Sequence, residues 1–125
     1  GFDADAYYEQ ANDSMICIAM IETETAIQNI DQITAVEGLD AVLIGPMDLS
    51  IDLGVFGDFS SQKYAEAESR VRDACQTNGT AMGTGCYSMD HAIACRDTGD
   101  PLLLALGDEV AIRQGAVETL SILRK

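Results

Sequence analysis

Four short apolar runs recur along the chain, each followed by a segment with helical spacing, and this alternation constrains the fold more than any other feature. The runs are Met15 to Ile21 (MICIAMI), Ala41 to Gly45 (AVLIG), Thr80 to Gly85 (TAMGTG) and Pro101 to Leu106 (PLLLAL). Strands apolar at successive positions, rather than at every second one, suit a parallel sheet buried on both faces. Between the runs, Ala26, Ile27, Ile30 and Ile33 share one helical side, as do Tyr64, Ala67, Val71 and Ala74. Thr23 or Thr25 can cap the first of these helices; Gly38 stops it and Leu39 supplies the apolar contact that follows. Gly79 ends the second helix, and Ser88 caps a third that runs to Cys95. Asp108 is expected to cap a fourth, which buries Val110, Val117, Leu120 and Leu123. The stretch after Gly45 reads as a polar, glycine-containing loop. Residues 1–14 read as a polar, acidic lead-in, partly helical, that carries Tyr7 and Tyr8.

The expected fold is therefore α/β, a single domain over residues 1–125 in which residues 15–125 form four βα units. Four such units are half of an eightfold barrel. Right-handed crossovers put every helix on one side of a sheet that curls, and an open four-stranded sheet keeps two unpaired edges. A chain of this kind pairs with another copy, belongs to a longer protein, or forms a small open sandwich.

Charge and cysteine usage narrow the partners. Acids outnumber bases 21 to 7, for a net charge of −14. Nucleic acid and anionic membrane surfaces both need clustered Lys and Arg, so neither is an expected partner. No apolar run approaches the roughly 20 residues that span a bilayer. Cys17, Cys75, Cys86 and Cys95 include no CxxC pair; they read as buried free thiols of a reducing, cytoplasmic compartment. His91, the one histidine, has no evident cysteine partner, so a zinc site is not expected.

Ligands of parallel α/β folds bind beyond the carboxyl ends of the strands. There the sequence places Glu22 directly after the first run and Asp48 shortly after the second. Neighbouring strands lie about 4.8 Å apart, so both carboxylates can reach one ion. Two carboxylates, with the other positions left to water and substrate, suit Mg²⁺ or Mn²⁺. The same carboxylates can instead cap the segments that follow, and spacing alone leaves both roles open. Gly45 and Pro46 favour a close backbone approach and a fixed turn, after which the amides of Met47 and Asp48 can face a ligand carboxylate. No Lys is placed for a Schiff base: Lys63, Arg70, Arg72, Arg96, Arg113, Arg124 and Lys125 fall on helices or at the chain end, and none at a strand mouth.

These residues resemble a known family. Tyr8-Glu9-Gln10-Ala11-Asn12-Asp13, Ile21-Glu22-Thr23, Val36-Glu37-Gly38-Leu39-Asp40 and Ile44-Gly45-Pro46-Met47-Asp48-Leu49-Ser50 are similar to segments of the HpcH/HpaI aldolases, which include 2,4-dihydroxyhept-2-ene-1,7-dioate aldolase and macrophomate synthase. The resemblance implies the C-terminal half of a (β/α)₈ TIM barrel. It implies that Glu22 and Asp48 match the family's ligands for a divalent metal (Mg²⁺ or Mn²⁺, with Co²⁺ also suitable). It further implies that Gly45, Pro46, Met47 and Asp48 match the segment that holds a pyruvate-like 2-oxo acid. The implied activity is that of a class II pyruvate aldolase, a lyase that cleaves or forms a carbon–carbon bond in 4-hydroxy-2-oxo acids through a metal-bound pyruvate enolate. Members are homo-oligomers, and the family's catalytic arginine and histidine/aspartate base pair belong to the N-terminal half-barrel, outside these residues. Three positions depart from the family pattern: Met20 replaces a frequent glutamine, Met47 a small or polar residue, and Gly85 a larger apolar one. Alternative readings are a non-catalytic half-barrel for assembly or ligand binding, and a citrate-lyase-like or malyl-CoA-lyase-like enzyme.

Overall fold

A computed structural model describes residues 4–105 and 107–124. Leu106, Lys125 and the first three residues of the lead-in lie outside the described residues. Each apolar run contains one strand: β1 (Ile18–Ile21), β2 (Ala41–Ile44), β3 (Ala81–Gly85) and β4 (Leu102–Leu104). They form one parallel sheet in the order β1-β2-β3-β4. Ile21 pairs with Ile44, Ile44 with Thr84, and Gly85 with Leu104, so the carboxyl ends of all four strands share one edge.

The helices are α1 (Ala4–Ser14), α2 (Glu24–Gln28), α3 (Ile30–Thr34), α4 (Pro46–Asp52), α5 (Gln62–Asn78), α6 (Met89–Thr98) and α7 (Asp108–Leu123). Thr23, Ser61 and Ser88 cap α2, α5 and α6 by accepting from amides three residues on, and the left-handed Gly79 ends α5. The lead-in is a full helix from Ala4, more ordered than its polarity predicts. The single helix expected after β1 is broken at Asn29, whose side-chain amide donates to Thr25 O at 2.8 Å; short amide side chains compete with the helix in this way.

One face of the sheet carries the core. Ile21, Val42, Ile44 and Met82 pack under Ile30, Tyr64, Ala67, Val71 and Ala74, so the two helical faces read from spacing are the ones that bury. Asp100, just before β4, has a side chain only 1% exposed and takes a bidentate fork from Arg72 of α5. This pair ties the longest helix to the last strand.

The other face is open. Ile18, Met20 and Leu104 alternate with the core positions and are exposed, Met20 at 53% and Leu104 at 58%. Gly83 on that face is crowded by Leu102 and Leu43, so that a Cβ would come within 2.8 Å of Leu102 Cδ2. Two sequence expectations fail for the same reason. Helix α7 buries no residue, and Val117, Leu120 and Leu123 are exposed. Cys17 is likewise exposed beside the edge strand β1. Cys17 immediately precedes the edge strand β1, and α7 follows the edge strand β4, so both sit at the unpaired margins of the sheet.

Candidate active site at the carboxyl edge of the sheet

Glu22 is the first residue past β1 and Gly45 the first past β2, and the register sets them side by side. The Gly45 amide donates to Ile21 O at 3.2 Å, holding the two strand ends together. The half-buried Glu22 side chain then lies directly over Gly45: a Cβ at this position would sit 2.6 Å from Glu22 Oε1 and 2.8 Å from its Cγ. The carboxylate beside it, rather than its backbone angles, accounts for glycine here, since Gly45 has an ordinary φ of −89° and a larger residue would displace the Glu22 side chain.

The segment after Gly45 corrects the expected loop. It is the helix α4, with Gly45 at the N-cap and Pro46 at the first helical position, where its missing N–H costs nothing and its ring presets φ. Asp48 lies in the first turn. The Leu49 amide donates to Gly45 O at 3.0 Å, closing that turn, and Ser50 Oγ, buried behind it, donates to Met47 O at 2.7 Å and accepts from the Gly57 amide at 3.1 Å. Met47 and Asp48 are exposed on this turn. The amides of a first helical turn have no intrahelical acceptor and favour negative charge.

The capping alternative is thereby reduced. Thr23, not Glu22, caps α2, and Gly45, not Asp48, caps α4. Among the described residues neither carboxylate takes part in a hydrogen bond or ion pair. One unpaired carboxylate lies over the N-cap and another in the first turn of the same helix, and both offer oxygen donors of the kind a hard divalent cation takes.

Cations stay away from this pair. Lys63, in the first turn of α5, falls on a helix as expected. Its ammonium is engaged, 2.9 Å from Leu53 O and 3.4 Å from Glu24. Asp52 accepts from the Glu24 amide at 2.6 Å, so α4, α2 and α5 are braced together around the rim. A cavity of about 490 Å³ opens beyond Pro46, between the ends of β3 and β4 and the start of α7; Pro46, Gly85, Cys86, Leu104 and Val110 are among its lining, and neither Glu22 nor Asp48 is. Gly85 is explained by Pro46, whose Cδ lies 2.7 Å from where a Cβ would be.

A second cluster was missed from sequence. His91 and Cys95 lie four residues apart on α6, and Cys95 Sγ is 3.3 Å from His91 Nε2. Cys86, just past β3, joins them, with all three ligand atoms within 4.8 Å of one another. The i, i+4 spacing was the available signal; the arrival of Cys86 depended on tertiary placement. Helix α6 sets His91 against Glu68 of α5 and the ring of Tyr87.

Comparison with known proteins gives the family. Residues 4–111 match the model of the HpcH/HpaI aldolase/citrate lyase family. The chain belongs to that family. It is 36% identical over 121 residues to a hydroxypyruvate/pyruvate aldolase of Roseovarius nubinhibens, covering 95% of this chain and 46% of the relative. It is 35% identical to a 4-hydroxy-2-oxo-heptane-1,7-dioate aldolase of Salmonella dublin, covering 92% and 47%. The crystal structure of a family member from Burkholderia cenocepacia J2315 superposes with a TM-score of 0.86 at 26% identity, covering 95% of this chain and 46% of that one. The chain thus spans about half the length of the curated relatives it matches, and its four βα units are half of a TIM-barrel-like fold. Among the described residues no helix is long and apolar enough to cross a membrane.

Proposed function

We propose that this chain supplies the metal- and 2-oxo-acid-binding part of a pyruvate aldolase acting on 4-hydroxy-2-oxo acids. The observation that carries the reading is the Glu22 carboxylate lying over Gly45, at the N-cap of the helix whose first turn bears Asp48. Glu22 and Asp48 would hold the cation, of the Mg²⁺ or Mn²⁺ type. When bound, that cation supplies Lewis-acid stabilisation of charge on the 2-oxo oxygen. The Met47 and Asp48 amides, pointing out of the first turn of α4, orient the substrate carboxylate. Gly45 keeps the approach clear, and the cavity beyond Pro46 takes the variable end of the substrate. The names of the Roseovarius and Salmonella relatives support the substrate class.

Proton transfer is assigned elsewhere. Among the described residues no histidine or arginine faces the Glu22/Asp48 pair, so the base and the counter-charge come from four further βα units closing on the open sheet face, as part of a longer chain or an assembly. A binding-only role for this half is the second reading, and the same lack of a base favours it. Calorimetric titration of Mn²⁺ with oxalate, a pyruvate mimic, tests the site: ternary binding is expected in the wild type and lost in Glu22→Gln and Asp48→Asn. Binding that survives both substitutions overturns the assignment. Pyruvate release from a 4-hydroxy-2-oxo acid then separates the aldolase from the binding-only role.

A further inference from the structure

Past the end of β3, the strand end and α6 bring together three donors, of which Cys86 also lines the cavity beside Pro46. We propose that Cys86, His91 and Cys95 bind a thiophilic divalent cation of the zinc type, at a site separate from the Glu22/Asp48 pair.

The donors converge from two elements. Cys86 follows β3 directly, while His91 and Cys95 occupy one side of α6, one turn apart. Their ligand atoms lie within 4.8 Å of one another, a spacing from which tetrahedral bonds of about 2.0–2.3 Å are reached by small side-chain rotations. A fourth partner stands beside them: Glu68 Oε1 of α5 is 4.0 Å from His91 Nε2, and Arg72 in turn is 3.7 Å from Glu68. Two thiolates, an imidazole and a carboxylate suit zinc and do not suit Mg²⁺, which demands oxygen ligands.

The imidazole is held for this role. Its ring stacks on Tyr87 at 3.9 Å, and Tyr87 stacks on Phe59 at 4.1 Å. The His91 side chain is only 10% exposed, and its Nδ1 is buried with no hydrogen-bond partner among the described residues. With the proton on Nδ1, the lone pair of Nε2 faces the cysteines and Glu68. The cluster is also reachable: a groove of about 180 Å³ opens on it, lined by Glu68, Tyr87, His91 and Cys95.

Each cysteine would bind as its thiolate, so binding releases two protons to solvent and the two thiolates neutralise the dication.

Cobalt(II) is the probe. One equivalent added to the reduced protein in excess Mg²⁺ is expected to give thiolate-to-cobalt charge-transfer absorption and tetrahedral d–d bands, bleached by one equivalent of Zn²⁺. Cys86→Ser, at a half-exposed position, should abolish the charge-transfer band and weaken Zn²⁺ binding by on the order of 100-fold, with unchanged far-UV circular dichroism. His91→Ala should shift the d–d bands. Glu22→Gln and Asp48→Asn should leave the spectrum unchanged, which keeps this test independent of the aldolase site. The proposal is overturned by absence of the charge-transfer band in the wild type, by a band that persists in Cys86→Ser, or by one lost with Glu22→Gln. Recovery of a Cys86–Cys95 disulfide from air-exposed protein whose reduced form gives no cobalt band also overturns it, in favour of a redox pair.

Discussion

At the scale of single residues, the contact between Gly45 and Glu22 bears most directly on the site. A methyl group at position 45 would stand 2.6 Å from Glu22 Oε1, well inside van der Waals contact. The backbone there is extended and has no need of glycine, so Gly45→Ala should fold. It must displace the Glu22 side chain, and Mn²⁺ affinity measured by calorimetry should fall by more than about tenfold, as when a metal site loses its support. Tyr64 offers the converse case. Its hydroxyl is buried without a partner among the described residues, and burial raises its pKa. An unsatisfied buried polar group costs about 1–3 kcal/mol, so Tyr64→Phe should raise stability by about 1 kcal/mol in urea unfolding while the edge-on contact with Phe59 remains. Such facts were unevenly legible beforehand. Glu22 stood out because it abruptly ends an apolar run. The Cys86, His91 and Cys95 cluster did not, because half of its signal was a helical spacing and the other half a strand end whose position only the packed structure gives.

At the scale of elements, periodicity worked where one face of an element is buried and failed where it is not. The four runs became four strands because each is too short and too uniformly apolar to be a surface helix. Helix α5 buries the positions its spacing marks. The segment after Gly45 misled because Gly, Pro, Asp and Ser suggest a loop; in the order Gly-Pro-x-Asp they are equally an N-cap, a first-turn proline and a first-turn acid. The Arg72–Asp100 pair lay beyond sequence altogether, since nothing local joins residues 28 positions apart. It carries an element-scale prediction. Asp100 is nearly fully buried, and removing its charge leaves the partly buried Arg72 with Glu68 alone, 3.7 Å away. Asp100→Asn should cost about 3 kcal/mol, read as a lowered urea midpoint. The double substitution Arg72→Met with Asp100→Leu should cost less than the single one, because apolar replacement leaves no charge unpaired. A double change that costs more would make the pair a net source of stability rather than a tie between α5 and β4.

At the scale of the whole molecule, the sheet is finished on one face only. The helix-covered face is packed, whereas Ile18, Met20 and Leu104 stand exposed on the other, and Val117, Leu120 and Leu123 on α7. Each exposed aliphatic side chain of this size withholds roughly 1.5–3 kcal/mol of burial, so covering this surface is strongly favoured. Two parallel edges, β1 and β4, also carry unpaired backbone groups. Both features would be met at once by four more βα units that continue the hydrogen-bond ladder from each edge and cover the open face, the partner proposed above. In sedimentation equilibrium the chain should therefore weigh more than its 13.3 kDa monomer, increasingly so with concentration, and Met20→Lys with Leu104→Lys should return it toward the monomer. Both substitutions lie on the open face, away from the helix-side core, so the circular dichroism of the monomer should be unchanged. A wild-type chain that stays monomeric across the concentration range would mean that the open face is tolerated in water, and the closing half would then have to be sought on grounds other than surface coverage.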